Sequence, residues 1–141
     1  MPDELFQDVI LRHYRQPSGR GRLREPTHTA SQFNPLCGDE ITIDLRLMDG
    51  SIEDIRFESE GCSICQASAS IMVERVKGQT VEVAEGLIAL TKKLVIGDAE
   101  AEGDLSALGA LRKHPGRQKC GLMAWEALEA ALQGAPNVEA P

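Results

Sequence analysis

The sequence predicts an α+β domain in which an antiparallel three-stranded sheet carries helices packed on one face. Two observations lead there. Apolar residues alternate on both sides of Asp49-Gly50, and from Ser63 onward the apolar spacing changes to that of helices. A run of strands followed by a run of helices builds a sheet whose helices collect on one side.

The chain has 141 residues, 42% of them hydrophobic and 4% aromatic, which suits one modest core rather than two. Residues 1–133 are expected to form a single domain, with 134–141 as a disordered tail. The opening Met-Pro-Asp-Glu-Leu-Phe has neither a basic nor an apolar leader region, and no later stretch is apolar enough for a bilayer. A soluble, cytoplasmic protein is expected. There thiols stay reduced, so four cysteines point to metal binding or reactivity before disulfides.

The net charge of −7 speaks against a nucleic-acid surface, but the charge is uneven. Residues 1–30 hold five arginines (Arg12, Arg15, Arg20, Arg22, Arg24) against four acids. A solvated loop after a helix is the simpler reading of this segment, ahead of a docking patch.

Leu5, Phe6, Val9, Ile10 and Tyr14 recur at helical spacing, predicting a helix over 3–15 that stops before Pro17-Ser18-Gly19. Residues 16–27 read as a loop, and a weakly signalled strand follows over 27–33. Ile41, Ile43, Leu45 and Leu47 form one apolar face of the next strand, and Ile55 and Phe57 continue it after the turn. A two-residue Asp-Gly turn would set Ile43 against Arg56 and split the apolar faces. A three-residue loop of Met48, Asp49 and Gly50 instead pairs Ile43 with Ile55 and Ile41 with Phe57, and is the register expected. Extended outward, it sets Cys37 opposite Gly61 and brings Cys37 and Cys62 within roughly 5 to 7 Å.

Ile64, Ala67, Ile71 and Met72 mark a helix from Ser63 that stops at Lys77-Gly78. Thr80 caps another, whose stripe runs Ala84, Leu87, Ile88, Thr91, Leu94 and Val95 to Gly97. After the acidic loop 98–104, Leu105, Leu108 and Leu111 predict a short helix. The last helix, over 117–132, carries Cys120, Ala124, Ala127, Leu128 and Ala131.

Cys37, Cys62 and Cys120 each fall where an element begins or ends. A thiol in the first turn of a helix is shifted toward thiolate by free N–H groups and the helix dipole, and Arg117 and Lys119 are expected to add to this at Cys120. Gly38 and Gly61 allow close backbone approach to an ion, and Asp39 can offer a carboxylate oxygen beside Cys37. Three sulfurs and one oxygen suit tetrahedral zinc. The residues alone leave open whether these are buried small side chains, a zinc that pins the fold, or a working centre, because the gap from Cys62 to Cys120 matches no zinc finger. His13, His28 and His114 read as surface residues.

Three segments carry a family resemblance: Asn34-Pro35-Leu36-Cys37-Gly38-Asp39, Gly61-Cys62-Ser63-Ile64 with Ala67-Ser68-Ala69-Ser70, and Arg117-Gln118-Lys119-Cys120. In this order, and with the hairpin between the first two, they resemble the three cysteine motifs of the SufU/IscU iron–sulfur assembly proteins, over nearly the whole chain. Lys119, where the IscU branch has histidine, resembles the SufU branch, as does the insertion at 97–115. No Leu-Pro-Pro-Val-Lys segment, by which IscU proteins bind a chaperone, is present.

The resemblance implies a SufE/NifU-like (IscU-like) fold, zinc bound by Cys37, Asp39, Cys62 and Cys120, and Cys37 as the sulfur acceptor. It implies a SufS-type cysteine desulfurase as partner, a desulfurase side chain that displaces Cys37 from the metal, and a downstream cluster-assembly scaffold. The activity implied is sulfurtransferase-like: acceptance of persulfide and activation of the desulfurase. The alternative is a scaffold that holds a transient iron–sulfur cluster on the same cysteines. Cys65 departs from the family pattern, which has serine there, and is expected to be a core residue or a bystander. A thioredoxin-like reading of Cys62-Ser63-Ile64-Cys65 lacks the βαβ setting it needs.

Overall fold

The computed structural model describes residues 2–35 and 38–134, with the backbone alone described for 2–6. Helix α1 (Pro2–Arg15) precedes strands β1 (His28–Asn34), β2 (Asp39–Met48) and β3 (Ser51–Glu60). Helices α2 (Ser63–Val76) and α3 (Val81–Val95), a 3₁₀ helix (Gly103–Lys113) and α4 (Pro115–Gln133) complete the described chain. The strands form one antiparallel sheet in the order β1-β2-β3, so the predicted α+β class and the weakly signalled first strand are both present.

Ile41, Ile43 and Leu45 of β2 and Ile52, Ile55 and Phe57 of β3 face the helices and are fully buried. Helix α4 crosses β1 and β2, α2 lies against β3 and α4, and α1, α3 and the 3₁₀ helix pack outside this pair. Helix α2 is buried from Ile64 through Val73, which explains its run of alanine and serine: a helix enclosed on all sides needs small residues where neighbours come close. Trp125 Nε1 donates to Ser68 Oγ (3.1 Å) and Ser68 Oγ donates to the Gly121 carbonyl (2.6 Å), tying α2 to α4 inside the core.

The hairpin turn differs from expectation. Asp49 and Gly50 both have positive φ (53° and 79°), the signature of a two-residue type I′ turn, and Met48 pairs with Ser51. A bulge between Arg46 and Leu47 in the pairing then shifts the register, so that Leu45 opposes Ile55, Ile43 opposes Phe57 and Ile41 opposes Ser59. The bulge reconciles a tight turn with agreeing apolar faces. Ile52 and Ile55 face the same side although three residues apart, which requires one extra residue between them. Continued by one residue, this register sets Gly61 beside Asp39; the expected partner, Cys37, lies outside the described residues.

The predicted helices recur with small shifts. Thr80 Oγ1 accepts from Val83 N (3.2 Å) as the cap of α3. Leu105, Leu108 and Leu111, three residues apart, sit on one edge of a 3₁₀ helix and are fully buried. Helix α4 starts two residues early, at Pro115, a residue pre-shaped for a first helical position.

Three surface expectations are corrected. Tyr14 is exposed, and the buried stripe of α1 runs Val9, Ile10, His13 instead. His13 bridges elements, with Nδ1 2.7 Å from Ser70 Oγ and Nε2 2.7 Å from Asp104 Oδ2, and His28 is also buried; His114 is exposed as expected.

Segment 16–27 is more than a solvated loop. Gly21 N donates to Phe57 O (2.7 Å) and Phe57 N to Gly19 O (2.8 Å), along the edge of β3. Arg22 then reaches the outer sheet face, where Nε donates to the fully buried Asp44 (2.6 Å).

Candidate metal centre

The centre forms where both hairpins end beside the helices. Asp39 is the first residue of β2, pairs with the last residue of β1, Asn34, and is 1% exposed. Gly38 N donates to Asn34 O (2.8 Å), tying the start of β2 to the end of β1. Cys37 itself lies outside the described residues.

Cys62 is the N-cap of α2, with extended backbone (φ −73°, ψ 163°), and is half-buried. Its amide donates to Asp39 Oδ1 (3.1 Å) and its thiol to Asp39 Oδ2 (3.6 Å). Gly61 permits this approach: its φ of 150° is open to glycine, and a side chain there would fall on the Asp39 carboxylate. Gln66, one turn into α2, donates to the Gly61 carbonyl (3.2 Å), and Arg20 NH1 lies 3.4 Å from Gln66 Oε1. This support for Gly61 was not anticipated from the sequence. Its visible trace there is a glutamine among the small and apolar residues of α2, four residues after Cys62.

Cys120 approaches from α4 and is 3% exposed. Its position differs from expectation: six residues into the helix, it is past the first turn and its unpaired N–H groups. Burial is the largest influence on its thiol, with the Asp39 hydrogen bond and Cys62 adding to it, and together they push its pKa far above the ordinary thiol range. Neither Arg117 nor Lys119 counters this; Lys119 pairs with Glu126 (3.3 Å).

One donor atom each from Asp39, Cys62 and Cys120 lies within 4.8 Å of the others. Zinc–sulfur and zinc–oxygen bonds at a tetrahedral angle separate the two ligand atoms by about 3.5 Å, close to the 3.6 Å between Cys62 Sγ and Asp39 Oδ2. Two soft thiols and one carboxylate, two of them buried and all mutually repulsive once ionised, fit a divalent cation of zinc type. Cys65 is fully buried and stands outside this group, with Sγ 3.7 Å from Ser59 Oγ, as its reading as a core residue expects. Among the described residues no helix is long and apolar enough to cross a membrane.

Comparison with known proteins identifies the family. The chain is 37% identical over 131 residues to the zinc-dependent sulfurtransferase SufU of Bacillus subtilis, covering 90% of this chain and 88% of that one. It is 37% identical over 132 residues to the iron–sulfur cluster assembly scaffold protein IscU of Thermotoga maritima, covering 92% and 93%. The crystal structure of a protein described as an iron–sulfur cluster assembly scaffold for the SUF system, from Fervidobacterium islandicum, superposes with a TM-score of 0.85 at 27% identity, over 92% of this chain and 98% of that one. Residues 5–137 match the family described as NifU-like N terminal domain, and the chain belongs to that family of iron–sulfur cluster assembly proteins.

Proposed function

We propose that this protein is a zinc-dependent sulfur carrier, which accepts persulfide sulfur from a SufS-type cysteine desulfurase for iron–sulfur cluster assembly. The observation that carries the reading is the convergence of Asp39, Cys62 and Cys120 from three separate elements onto one buried point. Cys37, adjacent in sequence to Gly38 and two residues before Asp39, is proposed as the fourth ligand and the acceptor. The name of the Bacillus subtilis relative supports both the metal and the activity.

Zinc would supply a charge that keeps the buried thiols ionised and holds three chain segments together. The residues divide the remaining tasks. Asp39 orients Cys62 through its amide and completes the donor set, while Cys62 and Cys120 anchor the two helices. Cys37 performs the transfer: its thiolate attacks the terminal sulfur of the donor persulfide, a new S–S bond forms on Cys37, the donor S–S bond breaks, and the donor cysteine leaves as thiolate. Sulfur then passes to a downstream cluster-assembly scaffold, in a cytoplasmic setting where thiols stay reduced.

The test pairs elemental analysis with a desulfurase assay. One zinc per chain and faster cysteine desulfuration in its presence are the expected results. The second reading, a scaffold that carries a cluster as cargo on the same cysteines, is favoured by the name of the Thermotoga maritima relative. A chelator-resistant iron–sulfur chromophore after reconstitution, without any effect on the desulfurase, would decide for it.

A further inference from the structure

We infer that Cys62 and Cys65 form a reversible disulfide under oxidation, which withdraws Cys62 from the metal centre and makes this chain's zinc retention redox-sensitive. The zinc consequence rests on the function proposed above; the disulfide does not.

Both thiols belong to the first turn of α2. Cys62 is its N-cap and Cys65 its third helical residue, and a side chain at an N-cap naturally reaches the third helical position. Residues three apart on a helix hold their Cβ atoms about 5 to 6 Å apart, within one to two ångströms of what a disulfide needs. The closing movement is available because the N-cap backbone is extended and the first helical bond, Gln66 N to Cys62 O, is long at 3.3 Å. Both sulfurs contact the end of the sheet that abuts the start of α2. Cys62 Sγ touches Asp39 and Cys65 Sγ touches Ser59, both directed inward from neighbouring strands.

Exposure assigns the roles. Cys62 is half-buried and meets an oxidant first, whereas Cys65 is fully buried and is protected from direct attack. With a peroxide as oxidant, the Cys62 thiolate attacks one peroxide oxygen, the O–O bond breaks and the other oxygen leaves as hydroxide, giving a sulfenic acid. Cys65 then attacks that sulfur; the S–S bond forms, the S–O bond breaks, and the oxygen leaves with the Cys65 proton as water. Two thiols are oxidised and one peroxide is reduced to water. A thiol reductant reverses the cross-link, so a resolving cysteine here spares Cys62 from irreversible oxidation.

The experiment treats the zinc-loaded full chain with hydrogen peroxide, blocks free thiols, maps the peptides by mass spectrometry and follows zinc release with a chromogenic chelator. The expected result is a Cys62–Cys65 cross-link with a loss of about 2 Da, zinc release in step with it, and recovery of both on reduction. Cys65→Ser should lack the cross-link and should not recover zinc binding after the same treatment; Cys65→Ala serves as a second variant if serine unsettles the core. A cross-link from Cys62 to Cys37 or Cys120, or equal and equally reversible zinc loss from wild type and Cys65→Ser, would overturn the inference. A Cys62–Cys65 cross-link in a protein that never held zinc would support the disulfide while removing the metal reading.

Discussion

Asp39 grips Cys62 twice, accepting from its amide at 3.1 Å with one carboxylate oxygen and from its thiol at 3.6 Å with the other. The first contact fixes the start of α2 against the end of the sheet, and the second points the sulfur toward Cys120. One side chain thus couples the fold to the donor set, and the two tasks can be separated by substitution.

Asp39→Asn keeps an acceptor for the Cys62 amide but loses the charge. The variant should fold, with a thermal midpoint near wild type, while zinc affinity falls by at least about tenfold. Asp39→Ala should lose both, adding about 1 to 3 kcal/mol of destabilisation from the unsatisfied amide. Chelator competition and thermal unfolding on the two variants check this, and unaltered zinc affinity in Asp39→Ala would argue against a ligand role.

Gly61→Ala tests the close approach. A methyl group would meet the Asp39 carboxylate at a backbone angle open to glycine, costing about 1 to 3 kcal/mol. Denaturant unfolding should show this loss, and chelator competition should show weaker zinc binding.

Cys37→Ala should abolish sulfur transfer while leaving the three other donors and the core in place. Labelled cysteine supplied to the desulfurase, followed by non-reducing analysis of the carrier, reads the outcome. Transfer at the normal rate would sink the assignment of Cys37.

Zinc affinity should rise with pH. Burial, Asp39 and Cys62 hold the Cys120 thiol protonated well above the ordinary thiol range without a cation, so binding must expel that proton. Each proton released makes affinity climb about tenfold per pH unit. Competition titrations between pH 6 and 8 should show a slope of at least one, and a flat profile would contradict it.

Asp44 sets the response to acid. Burial pushes its carboxyl up, but hydrogen bonds from Arg22, Thr29 and Leu23 N outweigh this and hold its pKa below the usual carboxylate value. A lowered folded-state pKa contributes stability above the unfolded carboxylate range, near pH 4, which is lost as pH falls through the folded value. Asp44→Asn should therefore cost about 1 to 3 kcal/mol at neutral pH and flatten the stability profile below pH 4, as denaturant melts across pH would show.

The hairpin shows how far periodicity reaches. A register with Ile43 opposite Ile55 and the observed one with Ile43 opposite Phe57 differ by two residues, and a two-residue shift returns every side chain to the same face. Alternation therefore identifies the buried side but not the rung. The turn and bulge choose the rung, and the spacing of Ile52 and Ile55 was the trace of that bulge.

By itself the sequence determined the order of the elements, the buried side of the hairpin and the cap at Thr80, because period and turn chemistry are local. Tertiary structure alone decided that Asp39 faces Gly61, that α4 brings Cys120 within reach of Cys62, and that His13 and Asp44 are buried with partners. The physical reason is that these facts depend on contacts between segments far apart in the chain. They are set by packing such as Trp125 and Gly121 around Ser68, which no local pattern encodes.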